Sequence, residues 1–165
     1  MTDTTNDDRR HVAGLVSNAK VAMLTTRTAE GKQISRPMGL QEAEFDGDLW
    51  FFAYDDSAKV AQIGVDPEVN VSFSDVEHGS WVSIAGRAEI VHDRSRAETL
   101  WSPTLRAWFP DGLETPGLTL IKVHADSAEY WEGPSSTVGF VLGTVRAAVT
   151  KNPDNDPITN DTVQL

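Results

Sequence analysis

Alternation of apolar and polar residues predicts a chain made mostly of β-strands. Residues 21–27 and 33–41 are rich in β-forming side chains and flank a turn with Gly31, so they predict a hairpin. Residues 49–54 form a nearly continuous apolar and aromatic run, which is typical of a strand buried on both faces. The same reasoning predicts three further strands, at residues 69–76, 80–91 and 118–132.

Helical spacing of apolar residues occurs in a few short segments. Residues 8–19 predict an opening helix, and residues 57–64 predict a helix of about two turns that begins at Ser57. Residues 93–112 form an insertion with helical character between the last two strands, and Asp93 can cap a helix that runs through Trp101. A final helical pattern lies between residues 138 and 149.

These elements define a mainly β fold class. Six strands follow one another in meander order, with helices between them and no alternating βαβ rhythm. That pattern predicts a six-stranded antiparallel β-barrel with peripheral helices, in a single domain over residues 1–150. Residues 151–165 carry Pro153 and Pro157 among Asp and Asn residues, so we expect a flexible C-terminal tail.

Composition narrows the classes of function. The chain has 165 residues, no cysteine, and a formal charge of −11 from 14 Lys and Arg against 25 Asp and Glu. The absence of cysteine excludes disulfides and thiolate chemistry, and a strongly acidic chain repels the backbone of nucleic acids. No apolar run is long enough to span a membrane and residues 1–10 are polar. We therefore expect a cytoplasmic protein without membrane or nucleic-acid partners.

No standard catalytic or metal-binding motif occurs in the sequence. Glycine-rich nucleotide loops, the nucleophile elbow of hydrolases and the His-Glu-x-x-His zinc helix are all absent. The four histidines, His11, His78, His92 and His124, are scattered singly along the chain. The sequence therefore predicts no metal site and identifies no catalytic residue.

Arg36, Ser57 and Lys59 are the best candidates for binding a ligand. Arg36 lies in a strand row otherwise formed by Ile34, Met38 and Leu40, and an arginine on such a face needs an anionic partner. Ser57 and Lys59 begin the short helix, whose free backbone N–H groups favour a phosphate. Alternatively, Arg36 pairs with a local carboxylate, Ser57 only caps its helix and Lys59 is solvated. The residues alone leave both interpretations open.

Six short motifs occur in one order along most of the chain. They are MLTT at 23–26, SRPM at 35–38, LWFF at 49–52, SAK at 57–59, DPEVNV at 66–71 and EYWEGP at 129–134, with WFPDG at 108–112 in the insertion. In order and spacing this set resembles the pyridoxamine 5′-phosphate oxidase-like flavoproteins, and within them the bacterial general stress proteins with an FMN-binding split barrel.

The resemblance implies a split β-barrel that works as a homodimer, with FMN sites at the interface and residues of both subunits around each flavin. It implies that Arg36, Ser57 and Lys59 hold the flavin phosphate. The backbone of Pro37 and Met38 would lie beside the isoalloxazine ring.

Three further residues match positions around the flavin in this family. Phe52 and Ala53 match the strand that passes the ring, although many relatives carry threonine at the position of Ala53. Trp131 matches a tryptophan that packs near the flavin across the dimer interface, and a plain core tryptophan is the alternative. Trp101 and Trp108 of the insertion are expected to pack against the barrel instead of lining the pocket.

The resemblance leaves the substrate open. Pyridoxamine phosphate oxidases end in a segment with a histidine and an arginine that hold the substrate, whereas this chain has no histidine and only Arg146 after Trp131. That activity is therefore not expected, and the family instead implies an FMN-dependent oxidoreductase with a small-molecule substrate or electron donor. The alternatives are a non-catalytic stress protein that binds or sequesters flavin, and a pocket for FAD, a deazaflavin or haem.

Overall fold

The computed structural model describes residues 3–41, 45–133 and 159–165. Its helices are α1 (Asp3–Ser17), α2 (Ala58–Val65) and α3 (Arg94–Leu100), and two short 3₁₀ turns follow at Pro103–Ala107 and Gly112–Glu114. Its strands are β1 (Val21–Arg27), β2 (Gln33–Gly39), β3 (Asp48–Tyr54), β4 (Glu68–Asp75), β5 (Ser80–Val91), β6 (Leu118–Glu132) and β7 (Thr159–Gln164). The predicted bounds of β1, β5 and β6 are confirmed, and those of β2, β3 and β4 shift by one or two residues.

The strands form one antiparallel sheet in the order β2-β1-β4-β5-β6-β3, with β7 paired to β6. The predicted meander is confirmed for β4, β5 and β6. It is wrong for β3, which pairs with β6 and not with β2. A turn signal marks where a strand ends but does not choose its partner. Because β3 lies beside β6, the insertion that joins β5 to β6 covers the apolar outer face of β3. Both faces of β3 are therefore buried.

The inner face of the sheet surrounds the main hydrophobic core. Leu24, Phe51, Val71, Ile84 and Ile121 are almost fully buried there, each from a different strand. Alternation with a period of two sends these side chains inward. No pairing joins β2 to β3 within the described ranges, so the barrel stays open along that line. The predicted fold class, a mainly antiparallel split β-barrel with peripheral helices, is confirmed.

The insertion between β5 and β6 forms a second, smaller core on the outer face of β3. Asp93 caps α3 as predicted, because its carboxylate accepts a backbone N–H of the first turn at 3.0 Å. Trp101 packs edge-on against Phe52 with 5.5 Å between ring centroids, which confirms its packing role. The expectation is wrong for Trp108, whose side chain is 64% exposed. The backbone carbonyl of Trp108 accepts a hydrogen bond from the Tyr54 hydroxyl at 2.7 Å.

The C-terminal end of the chain adds a seventh strand that was not predicted. Residues 159–164 pair with residues 127–132 of β6, and Val163 is 4% exposed in the barrel core. Residues 159–164 are therefore ordered, although the segment is mostly polar. Pairing with β6 and the burial of Val163 hold them in place. The predicted helix at 138–149 lies outside the described residues. Within the described ranges, no helix is long and apolar enough to cross a bilayer.

A β-bulge between β5 and β6 requires glycine at position 86. The register shifts between Ala85 and Gly86, and a Cβ on Gly86 would overlap the backbone carbonyl of His124. Gly86→Ala should therefore lower the free energy of unfolding by about 1–3 kcal/mol in urea denaturation. Gly14→Ala is the matched control, because the space around Gly14 of α1 is open and alanine should add about 0.5–1 kcal/mol there. Equal effects of the two substitutions would contradict this account.

Candidate anion-binding site

The guanidinium of Arg36 lies on the inner face of β2, next to α2. Strand register places Arg36 opposite Leu24 of β1, and Nη1 donates to the Leu24 carbonyl at 3.3 Å and to Thr26 Oγ1 at 2.6 Å. Nη2 donates to Gln62 Oε1 at 3.1 Å. All of these acceptors are neutral, and Arg36 forms no ion pair with any described residue. Among the described residues, nothing supports the alternative in which a local carboxylate neutralises Arg36.

Ser57 is the N-cap of α2 through its backbone alone. Its carbonyl accepts the backbone N–H groups of Val60 and Ala61 at 3.0 and 3.2 Å. Its Oγ makes no capping hydrogen bond, is shielded from solvent and has no partner among the described residues. A buried hydroxyl without a partner is costly. The hydroxyl of Ser57 thus does not act as a simple cap, and no described residue uses its hydrogen-bonding capacity.

Lys59, on the first turn of α2, is a second cation without a counter-ion in the described part of the chain. Burial lowers the pKa of its ammonium group, and the positive charge of Arg36 lowers that pKa further. Burial also lowers the pKa of the Arg36 guanidinium. The surroundings therefore disfavour the charged forms of both groups, and a bound anion would stabilise those charged forms.

The start of α2 and the Arg36 guanidinium together offer one set of hydrogen-bond donors. The backbone N–H groups of Ala58 and Lys59 make no hydrogen bond within the described residues, and the first turn of α2 contains no acidic side chain. Free N–H groups and the helix dipole attract an anion at such a position. In a chain with a net charge of −11, this local concentration of donors fits a phosphate group.

The other residues predicted for the ring site are Pro37 and Met38 on β2 and Phe52 and Ala53 on β3. Met38 and Ala53 are buried in the barrel core, and Phe52 is buried in the insertion core between Trp101 and its neighbours. The side chain of Pro37 is exposed on the outer face of the sheet. The side chains of Met38, Phe52 and Ala53 therefore pack inside the protein, and only their backbone groups could reach a ligand. Their assignment to the cofactor stays a prediction.

Trp131 lies on the outer face of β6, opposite Trp81 of β5. It is half-buried and belongs to neither core of the described residues, which does not favour the plain core-tryptophan interpretation. Pro37 of β2 faces the same outer side of the sheet. Arg36 faces the opposite side of β2. Within one chain, Trp131 and Arg36 therefore lie on opposite faces of the sheet.

Sequence reasoning missed Thr26 and Gln62, which contact Arg36 directly. Thr26 is 1% exposed at an inward-facing position of β1, where a hydroxyl needs a hydrogen-bond partner. Gln62 follows Lys59 by three residues and so lies on the same face of α2. A polar residue at an inward strand position was the available signal for Thr26.

The insertion lines a separate cavity of about 270 Å³ between α3 and the start of β6. His92, Arg94, Leu113 and Thr115 are among its lining residues, which do not include Arg36, Ser57 or Lys59. The described residues contain no cluster of His, Asp and Glu suited to a metal ion.

Comparison with known proteins places this split barrel in a family. The family described as pyridoxamine 5′-phosphate oxidase like matches residues 7–155. The chain therefore belongs to the pyridoxamine 5′-phosphate oxidase-like family.

Several relatives share most of this chain. Protein bli-3 from Neurospora crassa is 32% identical over 152 residues, which cover 86% of this chain and 73% of that protein. The crystal structure of the general stress FMN/FAD binding protein from Xanthomonas citri is 29% identical, with a TM-score of 0.68 over 80% of this chain and 93% of that one. A structure from Jannaschia sp. CCS1, provisionally named general stress protein 26, is 22% identical. Its TM-score is 0.74 over 97% of this chain and 99% of that one, a likeness of fold.

The free hydroxyl of Ser57 predicts an unusual response to mutation. Ser57→Ala should leave the free energy of unfolding of the ligand-free protein unchanged or slightly raised, because no hydrogen bond is lost and a buried unpaired group is removed. Asp93→Ala is the control, since that carboxylate does cap its helix and its loss should cost about 1 kcal/mol. Urea denaturation of both variants measures the difference, and an equal loss would mean that Ser57 acts as a cap.

Proposed function

We propose that the protein binds a flavin and that Arg36, Ser57 and Lys59 hold the phosphate of FMN. The observation that carries this proposal is the buried Ser57 hydroxyl, which lies in one site with two cations. Within the described residues, the hydroxyl has no hydrogen-bond partner and the cations have no counter-ion. Membership of the family supports the same class of ligand. The related protein from Xanthomonas citri is described as FMN/FAD binding.

The donor set favours FMN over FAD or a deazaflavin joined through a diester. A terminal phosphate monoester carries a charge of about −1.5 to −2 at neutral pH and has three free oxygens. Arg36 and Lys59 supply two positive charges, and Ser57 and the first turn of α2 supply neutral donors. The number and charge of these donors match a terminal phosphate.

A second copy of the chain would complete the site. The outer face of β1 exposes Val21 by 57% and Met23 by 39%, and the insertion does not cover it. Register aligns Met23 with Pro37 on one side and Ser72 on the other, so the centre of this face carries no charge. An uncharged, partly apolar sheet face in an acidic protein fits self-association. The partner subunit's Trp131 could then approach a flavin whose phosphate is held by Arg36, which lies on the opposite face of the sheet from Trp131 of the same chain.

The chemistry at this site would come from the cofactor. A bound flavin supplies electron or hydride transfer, whereas Arg36, Ser57 and Lys59 bind and orient it. The described hydrogen-bond partners of Arg36 are a hydroxyl, an amide and a backbone carbonyl, none of which is an acid or base. This favours either an FMN-dependent oxidoreductase acting on a small molecule, or a stress protein that binds flavin without turnover.

Flavin reduction distinguishes these two candidates. FMN-loaded protein is mixed with NADH or NADPH and then with electron acceptors, and the absorbance of the flavin is followed against free FMN. Reduction and reoxidation faster than those of free FMN support the oxidoreductase. Tight binding with no such acceleration supports the binding protein.

Loss of either cation should weaken FMN binding. Arg36→Met and Lys59→Met should each cost about 1.5–3 kcal/mol of binding free energy, because each removes a charge-assisted hydrogen bond. Affinity for riboflavin, which lacks the phosphate, should not change. The control is Arg94→Met, since the Arg94 guanidinium already pairs with Glu98 and Glu114 away from the site. Fluorescence titration gives the affinities, and unchanged FMN binding in both test variants would place the phosphate elsewhere.

Self-association should depend on the exposed face of β1. Light scattering of the wild type should report twice the 18.0 kDa of one chain. Met23→Glu should give monomers with reduced FMN affinity, because the new charge would be buried in the interface. Val65→Glu is the control, since Val65 is also exposed but lies on α2. A monomeric wild type would exclude a shared site.

A further inference from the structure

Gln62 of α2 closes a ring of hydrogen bonds around Arg36. Its Oε1 accepts a hydrogen bond from Thr26 Oγ1 at 2.6 Å and another from Arg36 Nη2 at 3.1 Å. Thr26 Oγ1 in turn accepts one from Arg36 Nη1 at 2.6 Å. Thr26 is 1% exposed in the wall of the barrel, so the ring is anchored to a rigid element.

This ring occupies one edge of the Arg36 guanidinium and leaves another edge free. Thr26 and Gln62 contact the two terminal nitrogens, Nη1 and Nη2, which form the end of the group. A guanidinium carries five N–H donors in a fixed planar fork. Within the described residues, the Nε–H of Arg36 has no acceptor. The edge formed by Nε and Nη2 therefore remains for a ligand that accepts two parallel hydrogen bonds, as a phosphate does.

The neutrality of Gln62 matters as much as its position. An amide oxygen orients Arg36 but leaves its positive charge uncompensated, whereas a carboxylate at the same place would form an ion pair with it. Lys59 is also without a counter-ion in the described part of the chain, and it lies on the same helix three residues earlier. Neutral Gln62 therefore keeps the full charge of both cations available to an anion.

We propose that Gln62 is a positioning residue that aims Arg36 at the flavin phosphate and, because it is neutral, makes the site selective for phosphorylated flavins. This inference rests on the proposed function. It extends the site from the three residues that would touch the phosphate to a fourth that acts through one of them.

The test compares FMN with riboflavin in Gln62→Glu, which has almost the same shape as the wild type. The new carboxylate should pair with Arg36 and lower FMN affinity by roughly 10-fold or more, because one charge of the site is neutralised. Riboflavin affinity should stay the same, so the ratio of the two affinities should fall. A merely structural role for Gln62 would weaken both flavins together. Gln33→Glu adds the same charge on an exposed part of β2 and should leave the ratio unchanged.

A second variant separates orientation from charge. Gln62→Met keeps the size of the side chain but removes the acceptor, so FMN affinity should fall less than in Gln62→Glu while riboflavin affinity stays unchanged. This variant also decides the question if Gln62→Glu does not fold.

The outcomes distinguish this inference from the proposed function. A wild type that binds FMN no more tightly than riboflavin would overturn the phosphate site, and the inference with it. A wild type that prefers FMN, with the same preference in both Gln62 variants, would overturn the inference alone.

Discussion

The pairing of the 15-residue strand β6 with three other strands is the constraint on which the rest of the structure depends. β5 runs along almost its whole length, while β3 pairs with its first half and β7 with its second half. Ile121 of β6 contributes to the barrel core and the adjacent Leu120 to the insertion core. One strand therefore joins both cores, and the bulge at Gly86 accommodates its bend.

This pairing also positions the anion site. The backbone N–H of Asp55 donates to the carbonyl of Gly117 at 2.8 Å, just before β6, and the chain then turns into α2. The start of α2 is thus fixed relative to β6, on one side of the open line of the barrel. Arg36 comes from β2, on the other side of that line. Arg36 and the start of α2 thus come from opposite ends of the strand order. The hydrogen bond between Gln62 of α2 and Arg36 connects them.

The sequence predicted local features better than partners. The bounds of β1, β5 and β6 and the cap at Asp93 depend on side-chain alternation and local hydrogen bonding, which neighbouring residues determine. The pairing of β3 with β6 and the addition of β7 depend on which surfaces remain uncovered once the barrel forms, and no local pattern contains that information.

The candidate site shows the same division. Arg36, Ser57 and Lys59 were recognisable as candidates because a cation in an apolar row and a hydroxyl at a helix start can together hold a phosphate, although each feature is common by itself. Gln62 has no such signal, since its role exists only when α2 lies against β1 and β2. The prediction for Trp108 was wrong because it relied on the usual burial of large aromatic side chains. Here the Tyr54 hydroxyl binds the backbone carbonyl of Trp108, and the ring is exposed.

Pro37 limits the pairing of β2 with strands of other chains. Within the described residues, the strand that carries Arg36 is an edge of the sheet, and an edge strand that nothing covers can pair with a strand of another chain. Proline has no backbone N–H, and at the centre of β2 it interrupts the row of donors that a new strand would need. The opening of the barrel can therefore stay accessible to a ligand while remaining protected against aggregation through its exposed edge.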